Sequence, residues 1–200
     1  MTIVDRAAFA PYFDGLHPLL AVTIVVGAGA LALARLERVD LVLLRHPLRG
    51  MRLAVGAALL FAVPTIGLDA ATVPFSAAIN VRFPASLLFY PVMAVVVEIL
   101  FHAVPLALLA PLLRPGEARS RRLWACVILV ALLEPAFQVA LAGPIPGWLS
   151  AYLALHLFAF SVVQLWLFIR HDFVTMLVFR LSYYLCWHIL WGHLRIQLLF

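Results

Sequence analysis

Apolar residues run almost unbroken through most of the chain, and the polar positions gather between these runs instead of alternating within them. A helix that packs in water keeps one apolar stripe, whereas a helix in lipid is apolar all round. At 1.5 Å rise per residue, about 20 such residues cross a bilayer. The pattern predicts six spans, at about 18–36, 53–73, 84–113, 123–141, 148–168 and 173–191. The second, which contains Pro64 and Asp69, is the most interrupted. The third is too long for one straight crossing, and Pro91, Pro105 and Pro111 are expected to tilt, kink or end it. Trp148, Trp166, Trp187 and Trp191 fall at or near span ends, where indole rings favour the interface. The expected fold is therefore all-α, a polytopic bundle of about six transmembrane helices.

Composition supports this reading. Of 200 residues, 66% are hydrophobic and 12% charged, about half the charge of a soluble domain. That excludes a water-soluble fold, a disordered chain, a coiled coil and a nucleic-acid binder. Residues 1–16 are too polar for a signal peptide and are expected to lie in the headgroup region, with 17–200 forming one helical domain. Cys126 and Cys186 lie in apolar stretches and read as small hydrophobes.

The net charge of +5 gains meaning from its distribution. All basic residues are arginine, a usage that reads as genome composition. Arg35, Arg38, Arg45, Arg49, Arg52, Arg114, Arg119, Arg121, Arg122 and Arg170 fall in odd-numbered connections, and Arg6, Arg82 and Arg195 on the opposite side. By the positive-inside rule, both termini are expected outside, with the odd connections cytoplasmic, in a bacterial inner membrane.

Ionisable groups within spans are costly and mark functional sites by default. The third span carries Glu98 and His102, the fourth Glu134 and Gln138, the sixth Arg180, Tyr184 and His188. Each step is i, i+4, which places the members of a set on one helical face. Measured from the cytoplasmic end, they fall roughly 12–24 Å deep, so three helices can present one mid-membrane polar cluster. The alternative is a structural ion pair of Arg180 with Glu98 or Glu134. His156 and Gln164 read as interhelical hydrogen bonders. His17, His46, His171 and His193 read as loop or interfacial residues, and Asp69 as a solvated span-end carboxylate. HExxH, GxSxG, GxGD, a Walker lysine and HxxxH are all absent. Glu98, His102, Glu134 and His188 together would suit zinc or manganese.

The segment 89–109, FYPVMAVVVEILFHAVPLALL, resembles the first motif of the CAAX protease and bacteriocin-processing (CPBP) intramembrane proteases, EExxxR before an apolar helix. Val97 stands at the first glutamate, Glu98 at the second and His102 at the arginine. The segment 131–138, ALLEPAFQ, resembles the second motif, FxxxH, with Glu134 and Gln138 at the two lettered positions. Residues 170–188 resemble the third, HxxxN or HxxxD, with Arg180 and Tyr184 in those places. The likeness covers about 85–190. It implies a polar intramembrane cavity for hydrolysis or binding of a membrane peptide, with the lipid bilayer and a membrane peptide or protein as partners.

In a peptidase of this kind Glu98 would be the general base for water, His102 or His188 the acid or a metal ligand, and Arg180 the oxyanion group. Most motif letters are replaced, so a pseudoprotease that binds without cutting is the alternative. A small proton-linked transporter using Glu98, Glu134 and His102 is the second alternative.

Overall fold

The computed structural model describes residues 18–45, 47–113, 119–141 and 145–200. The interfacial segment expected at the N-terminus, with His17 and His46, lies outside the described residues. Six helices make up the bundle: α1 Pro18–Glu37, α2 Pro47–Thr72, α3 Ser86–Leu113, α4 Arg119–Leu141, α5 Gly147–Arg170 and α6 Phe173–Leu198. No strand occurs among the described residues. The last five helices are long and apolar enough to cross a membrane, and α1 adds 20 residues of similar character. The protein is an all-α polytopic membrane bundle.

The helices follow the apolar runs, and their irregularities follow the prolines. In α3 the ladder widens into a π-type turn over Glu98–Ala103, immediately upstream of Pro105. A proline removes one N–H and crowds the carbonyl four residues back, here Phe101, so the α ladder cannot continue unchanged. The same helix tightens to a 3₁₀ turn at Ala110–Leu113, around Pro111. In α4 the helix breaks at Leu132, just before Pro135. A second π-type turn, Leu185–Trp191, interrupts α6. Two of these irregular turns border the buried polar groups described below.

α6 is the central post, packed against α2, α3 and α5, while α1 lies on α3 and α4 on α5. One apolar core joins α1, α3, α4 and α5 through residues such as Leu36, Leu106, Val127 and Leu165, and a second joins α2, α5 and α6 through Ala58, Phe160 and Phe179. Asp172 caps α6: its Oδ1 accepts the Thr175 N–H at 2.7 Å and its Oδ2 the Arg45 N–H at 3.0 Å. The Phe173 and Val174 N–H groups donate to the carbonyls of Val42 and Leu43. These bonds tie the α1–α2 connection to the start of α6.

The α2–α6 contact runs along a seam of small residues. Gly50, Ala54, Ala58 and Ala62 are all buried at i, i+4 spacing, which lets two backbones approach without a driving force from water. A Cβ on Gly50 would lie 2.6 Å from Thr175 Oγ1 and 2.7 Å from its Cγ2. Gly50→Ala is therefore expected to cost about 1–3 kcal/mol by overpacking, read as a lower thermal midpoint in detergent. Gly56→Ala, whose added methyl meets nothing within 4 Å, is the control expected to hold its midpoint.

Candidate functional site

Four helices deliver charge or amide groups to one buried point. Glu98 and His102 come from the π-type turn of α3, Glu134 from the segment after the α4 break, Ser161 and Gln164 from α5, and Arg180 and Tyr184 from α6. Glu98, His102, Ser161 and Gln164 are 0% exposed, Arg180 1% and Glu134 2%. Arg180 Nε donates to Glu98 Oε1 at 2.7 Å. Its Nη1 donates to Glu134 Oε1 at 2.8 Å and to the Tyr184 hydroxyl at 3.2 Å. Its Nη2 donates to Glu134 Oε2 at 2.6 Å and to Gln164 Oε1 at 2.8 Å. A guanidinium has five N–H groups, and all five are engaged.

Both oxygens of Glu134 are committed, whereas Glu98 bonds through Oε1 alone. Glu134 takes a two-point fork from Arg180, the strongest geometry for such a pair, and accepts the Ser161 hydroxyl at 3.4 Å. Glu98 Oε1 also accepts from the Gln164 amide nitrogen, so Gln164 bridges guanidinium and carboxylate. His102 Nδ1 lies 2.9 Å from Glu98 Oε2, at ion-pair distance but without the alignment of a hydrogen bond. Its Nε2 is 3.9 Å from Glu134 Oε2. The guanidinium carbon sits 5.3 Å from the Phe160 ring centroid and 5.6 Å from that of Tyr184, so aromatic faces screen it as well. In a medium without water, each unpaired polar atom would carry a large penalty, and Arg180 leaves none of its own.

Five of the seven residues picked out at i, i+4 spacing meet here: Glu98, His102, Glu134, Arg180 and Tyr184. Gln138 does not, because it is exposed on the outside of the bundle. The α4 break at Leu132 intervenes before the site, and the turn after Glu134 faces away. His188 reaches the node only through Tyr184, whose ring it meets edge-on at 5.0 Å between centroids. It lies eight residues beyond Arg180, about 12 Å along the axis, and stacks on Tyr90 at 4.4 Å between centroids. Gln164 makes the interhelical bonds expected of it, to Glu98 and from Arg180, and Ser161, which the spacing does not single out, joins the node from the same helix. Their signal was a pair of polar residues three apart on an otherwise apolar helix face.

The four residues considered as metal ligands do not form a set. Arg180 occupies the space between the two carboxylates, a cation already in the place a metal would take, and His188 is in another layer. Among the described residues, no three His, Cys, Asp or Glu side chains gather in a way that would hold a metal ion.

Two further polar layers lie along the same helices. His156 Nε2 is 3.4 Å from both the Thr65 and Tyr183 hydroxyls, and Tyr152 bonds Thr65 at 3.0 Å, joining α2, α5 and α6. Nearer the α6 C-terminus, Asp69 is fully buried, contrary to its expected place in water. Arg195, expected in an exterior segment, lies in α6 and is also 0% exposed. Its Nε and Nη2 fork onto Asp69 at 2.6 and 3.0 Å. The expected side of the membrane with fewer arginines thus loses one of them to a buried pair.

The fold and these two arginine nodes define the class: an integral membrane helix bundle held at two depths by saturated ion pairs. No family model, curated protein or solved structure matches the chain.

Proposed function

We propose that the chain is a CPBP-like membrane module that binds a membrane peptide or protein without cutting it. The observation that supports this reading is the saturation of Arg180. Hydrolysis needs a base free to take a proton from water and a donor free to meet an oxyanion. Arg180 has no donor left for an oxyanion, and Glu98 holds Oε1 on Arg180 and Gln164 while its Oε2, without a hydrogen bond, faces only His102. Neither residue touches solvent. On this reading the motif positions retain polarity to lock helices. The arginine-rich end would face the cytoplasm of a bacterial inner membrane, with both termini outside.

A second reading, peptide hydrolysis with Glu98 as base and His102 as acid, draws on their 2.9 Å approach within a π-type turn; such turns are frequent at functional sites. It requires the node to open and admit water. The two separate in one experiment. Purified protein in proteoliposomes is offered prenylated and transmembrane peptides, beside Glu98→Gln, which keeps the Glu134–Arg180 fork. The binding reading expects no cleavage above empty vesicles from either protein, and equal capture of a given peptide by in-membrane cross-linking. Cleavage lost in Glu98→Gln would overturn it.

A further inference from the structure

The bonds that tie the α1–α2 connection to its neighbours also assemble a surface. Arg119 Nη2 donates to the Val39 carbonyl at 2.7 Å, and the Arg45 backbone bonds Asp172 at 3.0 Å. The end of α1, the starts of α2, α4 and α6 and the end of α5 are thereby held at one end of the bundle. Arg35, Arg38, Arg45, Arg52, Arg121 and Arg170 are all exposed there. The exposed carboxylates described at this end are Glu37 and Asp40, and Asp40 already lies 3.5 Å from Arg119. Asp172 is buried as the α6 cap. At the other end the described residues offer Arg82 as an exposed arginine, while Arg195 is consumed by Asp69.

Two of these arginines share a helix face with an exposed indole. Trp124 follows Arg121 by three residues on α4, and Trp166 precedes Arg170 by four on α5, so each pair shares a helix face one turn apart. Trp124 is 42% exposed and Trp166 36%. On both helices the tryptophan is nearer the membrane centre, at the level indoles prefer, and the arginine reaches outward. A guanidinium there meets lipid phosphate in a flat two-point geometry. We propose that this arginine-rich end, with Trp124 and Trp166 beneath it, binds anionic phospholipid headgroups in preference to zwitterionic ones. The proposal is independent of whether the mid-membrane node binds or cuts a peptide.

The shared chemistry is a phosphate, and the indoles commit it to a lipid over a free anion. The test is native mass spectrometry of the full chain released from an uncharged detergent, titrated with phosphatidylglycerol or with phosphatidylcholine of the same chains. Wild type is expected to retain phosphatidylglycerol preferentially, with no displacement by inorganic phosphate at equal concentration. In Arg121→Gln/Arg170→Gln the preference is expected to fall about fivefold for each arginine removed, and the Lys counterparts to restore most of it. Arg82→Gln should match wild type. Equal retention of the two lipids, full preference in the double Gln variant, or an equal fall in Arg82→Gln would each overturn the proposal. Displacement by inorganic phosphate would also overturn it, by marking a free-anion site. Helical circular dichroism of each variant excludes misfolding as the cause of a fall.

Discussion

Arg180→Met is expected to destabilise the bundle by about 3–5 kcal/mol, the range for removing one partner of a buried ion pair. The guanidinium is the hub of the node: without it, Glu98, Glu134, Gln164 and Tyr184 lose their common donor together. Two carboxylates would remain at 0% and 2% exposure, with His102 the nearest basic group. Lysine is no substitute. Its compact ammonium cannot fork onto Glu134 while also meeting Glu98 from the Nε side, so Arg180→Lys should fall between wild type and Arg180→Met. The triple variant Arg180→Met/Glu98→Gln/Glu134→Gln removes all three charges at once and should recover most of the loss, since buried charges can be replaced together at little net cost. The measurement is the thermal midpoint of the purified protein in a fixed detergent. A midpoint unchanged in Arg180→Met would show that the node does not hold the helices.

Much of this node was legible from spacing alone. Arg180 and Tyr184 are four apart on a regular stretch of α6 and share its face, and Glu98 and His102, also four apart, stay neighbours at 2.9 Å even through the π-type turn. Counting residues from the span ends also placed Glu98, Glu134 and Arg180 at overlapping depths. The same rule failed for His188 because a shared face says nothing about height, and eight residues exceed the reach of one cluster. It failed for Gln138 because only the first turn of the segment Leu133–Leu141 turns inward, at Glu134 and Pro135, while Ala136, Phe137 and Gln138 are exposed. Ser161 and Gln164 carry no charge, so nothing in the sequence ties them to the carboxylates and guanidinium they meet. Their value is set by the groups they face across the bundle, which no local pattern encodes.

The second node was invisible for a different reason. Asp69 and Arg195 are 126 residues apart in sequence, and each sits near a span end where water is the default partner. Only the bundle brings α2 and α6 together there. Arg195 also lies within the bundle because α6 does not end at Trp191 but runs on to Leu198. The arginine count on that side therefore included a residue whose charge is already matched.

Asp69→Ala is expected to be the other severe substitution, again by about 3–5 kcal/mol. Arg195 would lose its two-point partner while remaining 0% exposed, and the Trp191 indole would lose the acceptor it reaches at 2.8 Å. The damage should extend into the chain after α2. Arg195 also donates to the Phe75 carbonyl at 2.6 Å, the Ser76 carbonyl at 3.1 Å and Asn80 Oδ1 at 3.0 Å. These bonds hold the segment that follows Val73, a β-branched residue kept at φ 46°, where its side chain is strained. Releasing Arg195 from Asp69 removes the fixed point from which that strain is opposed. Hydrogen exchange should therefore rise first over residues 73–80 and the last turns of α6, with the Arg180 layer protected. Asp69→Asn, which keeps an acceptor for Trp191 and Arg195, should lose less than Asp69→Ala. Adding Arg195→Leu to Asp69→Ala should recover part of the cost by removing the orphaned cation. If the double variant is no better than Asp69→Ala, the penalty comes from the lost connections of Arg195 to residues 75–80 and not from an uncompensated buried charge.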